Sequence, residues 1–161
     1  MSNSDSFIVT LFSNNSLNVF HDNVQSAFTN IVNISQNLGE NWEVGISELY
    51  LNDLPSTEIL LVMENRKSIQ NMNKGLIFVY TDIIKPRCVG DKRTRCLRIL
   101  FHNGAAKMMQ FKNIEYYPIE NCDVRDISIL ITDSKGYKVP FKPSSIPIYV
   151  TLRFRRICNI L

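Results

Sequence analysis

The sequence predicts an all-β fold, a two-sheet sandwich of jelly-roll or immunoglobulin-like type with about eight strands. Three observations predict it. Short apolar runs recur with a period of two, Asn, Asp, Gly and Pro bound those runs, and no stretch sustains an i, i+3, i+4, i+7 apolar stripe. The 161 residues, 45% of them hydrophobic, suffice to bury one core, so 1–161 reads as one domain with a polar, flexible lead-in over 1–6.

The strands follow in order. Phe7, Val9 and Leu11 share one face of the first. Ser26 to Val32 reads as a second, and Trp42, Val44 and Ile46 share one face of a third that runs toward Tyr50. Its apolar set changes to Leu49 and Leu51 after Ser47, which predicts a bulge or bend there. Thr57 to Glu64 is a further expected strand, followed by a short helix or polar loop over Glu64 to Asn73. Leu76 to Thr81 contains the run Leu76-Ile77-Phe78-Val79-Tyr80, apolar on both faces, which predicts a strand buried in the middle of the sandwich. Cys96 to His102 and Lys107 to Lys112 are separated by an Asn103-Gly104 turn. Asp126 to Thr132 ends at the turn Asp133-Ser134-Lys135-Gly136. Last comes the clearest alternation, Ile148, Val150, Leu152 and Phe154 against Tyr149, Thr151, Arg153 and Arg155. Pro55, Pro86, Pro118, Pro140, Pro143 and Pro147 all fall between runs, as strand breaks do.

Composition narrows the function classes. A formal charge of +3 is well short of the density of a DNA-coating protein. The polar residues Met1 to Ser6 do not resemble a secretion signal, and no apolar run reaches the roughly 18 residues needed to span a bilayer. Cys88, Cys96, Cys122 and Cys158 are therefore expected as thiols, and no C-x-x-C pair points to a metal. Neither a G-x-S-x-G motif, a P-loop, a dinucleotide fingerprint nor H-E-x-x-H occurs. His21 and His102 read as exposed turn histidines, and Glu40 with Glu43, or Asp123 with Asp126, as solvated loop charges. These readings give no catalytic residues, no cofactor and no metal, so the chain is expected not to be an enzyme.

The densest charge lies in Lys85 to Arg98, where Lys85, Arg87, Lys92, Arg93, Arg95 and Arg98 face the single Asp91. Arg153, Arg155 and Arg156 form a second basic group on the polar side of the last strand. Arg87, Lys92, Arg93, Arg95, Arg98, Arg153, Arg155 and Arg156 are the candidate residues for contacts between subunits or toward nucleic acid. The basic segment lacks interleaved aromatics and a recognition helix, which favours a solvated loop or an intersubunit salt-bridge strip.

Four blocks, taken together and in order, carry a family resemblance. They are FIVTLFSNNSLNVFHDN from Phe7 to Asn23, WEVGISELYL from Trp42 to Leu51, FVYTDIIKPRCVGDKRTRCLR from Phe78 to Arg98, and the finishing pair DISILITDSKGYKVPF and IYVTLRFRR that ends at Arg156. The chain resembles the penton (minor capsid) protein of Maverick/Polinton-type DNA viruses and virus-derived elements. It departs from that pattern at Asn18 to Asn23, where relatives tend to have Tyr-Pro before the Asp or Asn. The resemblance implies a single jelly roll forming homopentamers at the vertices of a virion capsid, surrounded by a double jelly-roll major capsid protein, with nonspecific contact to packaged DNA as a further expectation.

Two other classes stand beside the assembly subunit. A monomeric β-sandwich binding module for a carbohydrate or host protein would show an aromatic-lined loop pocket, and Tyr116-Tyr117 is the adjacent aromatic pair that invites it. A basic nucleic-acid-binding β-barrel would depend on Arg93 and Arg95 and weaken steeply with salt.

Overall fold

The computed structural model describes residues 6–34, 38, 41–55 and 75–157. The expected strand Thr57 to Glu64 and the helix or loop Glu64 to Asn73 lie outside the described residues.

The strands are β1 (Ser6–Phe12), β2 (Ala27–Ile31), β3 (Trp42–Leu51), β4 (Gly75–Thr81), β5 (Arg87–Val89), β6 (Lys92–Thr94), β7 (Cys96–His102), β8 (Lys107–Gln110), β9 (Tyr117–Pro118), β10 (Asp126–Asp133) and β11 (Tyr149–Arg156). They form an all-β sandwich. A front sheet runs β1-β11-β3-β8, with β9 joining β3 further along its edge, and a back sheet runs β2-β10-β4-β7. All pairs are antiparallel. Numbered in chain order without the short β5, β6 and β9, the sheets read 1-8-3-6 and 2-7-4-5. Most connections therefore cross from one sheet to the other, and the loops collect at the two ends of the sandwich.

Alternation decides what each strand buries. Val150, Leu152 and Phe154 of β11 point inward with Val44, Ile46 and Leu49 of β3, and meet Ile77 and Val79 of β4 and Ile127, Ile129 and Ile131 of β10, all essentially solvent-free. Phe7 stacks on Phe154 at 4.8 Å with planes 3° apart and tilts against Trp42 at 5.5 Å, closing one end of the core. Such aromatic pairs add about 0.5–1.5 kcal/mol beyond their buried area.

The expected bulge is present. On β11, Thr151 faces Glu48 and Leu152 faces Ile46, which leaves Ser47 as the extra residue. That one residue moves the inward set of β3 from Trp42, Val44 and Ile46 to Leu49 and Leu51. Gly45 is fixed by another constraint: a Cβ there would lie 2.3 Å from the Glu115 carbonyl oxygen and 2.4 Å from Ile114 Cγ2. The chain between β8 and β9 thus crosses directly over a bare backbone.

The turns follow their residues. Gly104 (φ 99°) and Gly136 (φ 87°) take the left-handed conformation the Asn103-Gly104 and Asp133 to Gly136 turns require, and Asp133 Oδ1 accepts the N–H groups of Lys135 and Tyr137.

Three expectations are corrected, the first being Glu43, which is no solvated loop charge but a residue of β3 whose side chain is 16% exposed and pairs with Arg155. The run Leu76 to Tyr80 occupies an interior position of the back sheet, but only Ile77 and Val79 are buried; Leu76 is 50% exposed, and Phe78 and Tyr80 are half-buried on the outer face. A central strand has neighbours on both edges, and this does not cover both of its faces. His102 is not an exposed turn residue. It is 2% exposed, because it ends β7 in phase with inward Leu100, and its ring is satisfied locally. His21 is exposed as expected.

Candidate interaction surfaces

Much of the cationic set converges on one short segment. Residues 116–120 pair with the front sheet through Val44↔Tyr117 and Glu43↔Pro118, and with the end of the back sheet through an Ile84↔Ile119 bridge and a Lys85 N–H to Pro118 carbonyl bond of 3.0 Å. Arg87 lies over the Tyr117 ring at 4.4 Å and donates through Nε to the Cys96 carbonyl at 2.7 Å. Arg155 lies over the Tyr116 ring at 3.6 Å and pairs with Glu43 at 2.6 Å. Arg95 pairs with Glu120 and donates to the Ile84 carbonyl at 3.1 Å. Tyr116 and Tyr117 are thus platforms for arginines of their own chain. Tyr117 is also pushed above the usual phenol range, first by burial and then by its hydrogen bond to Glu115.

The remaining candidates lie apart. Arg98 stacks on Phe111 at 3.8 Å and donates to the Asn113 carbonyl, and Arg156 sits 5.7 Å from the Trp42 ring. Lys92 and Arg93 project from β6 in a tight β5–β6 hairpin whose turn uses Gly90 at φ 61°. Arg153 is exposed on the outer face of β11. Among the described residues, Lys92, Arg93 and Arg153 have no acidic partner. The basic segment is thus a hairpin with an engaged base and a free tip.

Two surfaces without a charge signature complete the set. Leu76, Phe78 and Tyr80 on β4, Ile99 and Phe101 on β7 and Leu130 on β10 line the outer face of the back sheet, with Phe101 57% exposed. Opposite residues pair across the strands as Leu76↔Phe101, Phe78↔Ile99 and Tyr80↔Leu130, so the strip is continuous. Its sequence signal was the two-faced apolar run of β4, since a strand that needs only one buried face has no packing reason to be apolar on the other.

On the outer face of the front sheet, Phe12, Tyr149 and Tyr50 form a row with ring centroids 5.8 Å apart in each step. Tyr149 donates to Glu48 at 2.5 Å, and that bond to a carboxylate pushes its pKa up to about 12.

Cys88, Cys96 and Cys122 are free thiols, and Cys96 is buried. Among the described residues, no group of three or more His, Cys, Asp or Glu side chains comes together, and no helix is long and apolar enough to cross a membrane. No protein-family description, curated protein or solved structure matches the chain.

Proposed function

We propose that this chain is a structural virion protein, the penton (minor capsid) protein of a Maverick/Polinton-type DNA virus or virus-derived element. On this reading it is a single jelly roll that forms homopentamers at the capsid vertices and contacts a double jelly-roll major capsid protein. The sheet orders 1-8-3-6 and 2-7-4-5 support it, because two interleaved Greek keys give a jelly roll that order. The observation that carries the reading is the continuous apolar strip Leu76, Phe78, Tyr80, Ile99, Phe101 and Leu130 on a rigid sheet. Exposed apolar patches of a few hundred Å² mark interaction sites, and a standard interface covers on the order of 800 Å² per partner, so the strip would form the core of a contact. A closed ring repeats one contact between two unlike surfaces, and small angular errors accumulate around it. The sandwich, cross-braced at 116–120, supplies the needed stiffness. Lys92 and Arg93, without an acidic partner among the described residues, would meet packaged DNA without sequence preference.

Light scattering on the purified chain across concentration and salt tests the reading. A mass near five subunits that returns to one on Phe101→Asp is expected. Co-expression with the cognate major capsid protein should yield closed particles with this chain at their vertices, and particles lacking it at every vertex would overturn the assignment.

The row Phe12, Tyr149 and Tyr50 favours a second reading, a monomeric module that stacks a carbohydrate on half-buried aromatic faces. A strict monomer whose tyrosine fluorescence changes with an oligosaccharide, and no longer does so in Tyr50→Ala, would establish it.

A further inference from the structure

The two edges that face each other on one side of the sandwich are finished differently. In β2, most of the backbone groups directed away from β10 are capped. Ala27 N–H bonds the Val24 carbonyl, Thr29 N–H and carbonyl bond the Asn23 side chain at 2.9 and 2.8 Å, and Ile31 N–H bonds Ser16 Oγ at 3.1 Å. In β1, Ser13 N–H points to the Ile148 carbonyl of the β11 side, so residues 12, 10 and 8 turn their N–H and carbonyl groups away from β11. Asn30 occupies those groups at Phe12. At Thr10 and Ile8 no backbone bond to a partner on the open side occurs among the described residues.

This open stretch forms one wall of a cleft of about 270 Å³. Val9 and Leu11 lie on the β1 side, and Val32, Asn33 and Ile34 on the other. The rims carry Ile8, 65% exposed, and Ile31, 56% exposed, beside the polar Thr10, Asn15, Ser16 and Asn33.

We propose that β1 over Ile8 and Thr10 is a strand-docking site for an extended segment of a partner protein in which apolar and acidic residues alternate. The backbone selects the ligand class. Two N–H and two carbonyl groups repeat at twice the strand rise, about 6.8 Å, and an extended peptide satisfies such a ladder group by group where a sugar or nucleotide does not. Alternate side chains of the docked strand would enter the cleft against Val9, Val32 and Ile34, so those positions are apolar. The intervening side chains would lie beside Ile8, with the long side chain of Arg153 one strand further in, its Cα opposed to that of Ile8 across β1 and β11. Among the described residues Arg153 has no acidic partner, while neighbouring Arg155 is held by Glu43, so an acidic residue is preferred on that face. The site does not rest on the vertex reading, since the single chain presents this edge.

The test uses the full chain and two fluorescein-labelled peptides of roughly nine residues, one alternating Val with Glu and the other Val with Lys. The acidic peptide is expected to bind better by anisotropy, and its binding should protect the Ile8 and Thr10 amides from hydrogen exchange. Thr10→Pro removes the edge-facing N–H, and Thr10→Val removes only the 3.0 Å hydroxyl bond to Thr151. An affinity lowered by about tenfold in Thr10→Pro relative to Thr10→Val is expected. Arg153→Glu, at an exposed position, should invert the preference between the peptides. The proposal is overturned if neither peptide binds at about 1 mM, if the protected amides lie elsewhere, or if Arg153→Glu leaves the preference unchanged.

Discussion

Asn30 holds the backbone of Phe12 as a neighbouring strand would: its Oδ1 accepts the Phe12 N–H at 2.7 Å and its Nδ2 donates to the Phe12 carbonyl at 2.9 Å. Asn30 belongs to β2 and is buried, so this one side chain ties the edge of the front sheet to the back sheet. Asn30→Ala leaves two part-buried backbone groups without their partner and should cost about 1–3 kcal/mol. Urea unfolding measures it. Asn23→Ala, on the more exposed edge of β2, should cost about 1 kcal/mol.

Gly45→Ala places a methyl group against the Glu115 carbonyl and Ile114. The segment between β8 and β9 has to lift, so a loss of about 1–3 kcal/mol is expected. If the strip on the back sheet is the contact surface, oligomeric mass should be little changed while the melting temperature falls, because Gly45 lies on the opposite sheet.

His102 predicts a pH dependence. Its Nδ1 accepts the Gly104 N–H at 2.9 Å, so the proton sits on Nε2 and is donated to the Asn52 carbonyl at 3.0 Å. Burial lowers its pKa from 6.5, against smaller opposing contributions from the Asn52 bond and Asp53, and protonation would turn the Nδ1 acceptor into a donor facing another donor. Above pH 6.5 the ring is neutral in both folded and unfolded chains, and its contribution to stability is complete. As pH falls below that value the unfolded chain takes up the proton first, and stability declines toward the depressed folded pKa, by at most about 1.4 kcal/mol per pH unit. The difference in unfolding free energy between the native chain and His102→Gln, measured from pH 8 to 5, should carry that slope.

Thiol reactivity should separate the cysteines. In a Cys158→Ser background, an aromatic disulfide reagent should modify exposed Cys88 and Cys122 quickly. Cys96 should react only as the protein unfolds, since it is buried and burial raises its thiol pKa more than Arg87 lowers it. Rapid modification of Cys96 in the folded chain would contradict the packing at the start of β7.

The elements that were legible in the sequence have one oily and one wet face. β11 and β3 were readable, bulge included, because alternation records the direction of each side chain. The Leu76 to Tyr80 run misled because apolar character on both faces marks two contacts without identifying the second; here one is the core and the other an outer surface. His102 was misread because a turn beside it indicates exposure of the turn, while strand phase directs the imidazole inward. The cationic candidates were visible as residues, but their partners were not. Arg155 reaches Glu43 across 112 residues and Arg95 reaches Glu120 across 25, and only the strand order brings such groups together. The asparagine caps left no periodic trace at all, since they are single side chains among many polar loop residues.

The bond between Thr10 and Thr151 spans 141 residues of sequence and joins β1 to β11. During synthesis, β1 leaves the ribosome long before β11 exists, and β11 is also the strand that connects β1 to β3. The front sheet therefore cannot be completed until β11 has emerged. Such distant pairing places the domain among slow-folding topologies, with relaxation in milliseconds to seconds, and leaves the apolar side of β1 uncovered meanwhile. For a cell making many copies at once, this waiting period is when aggregation competes most strongly, and folding yield should be most sensitive to lesions in β11.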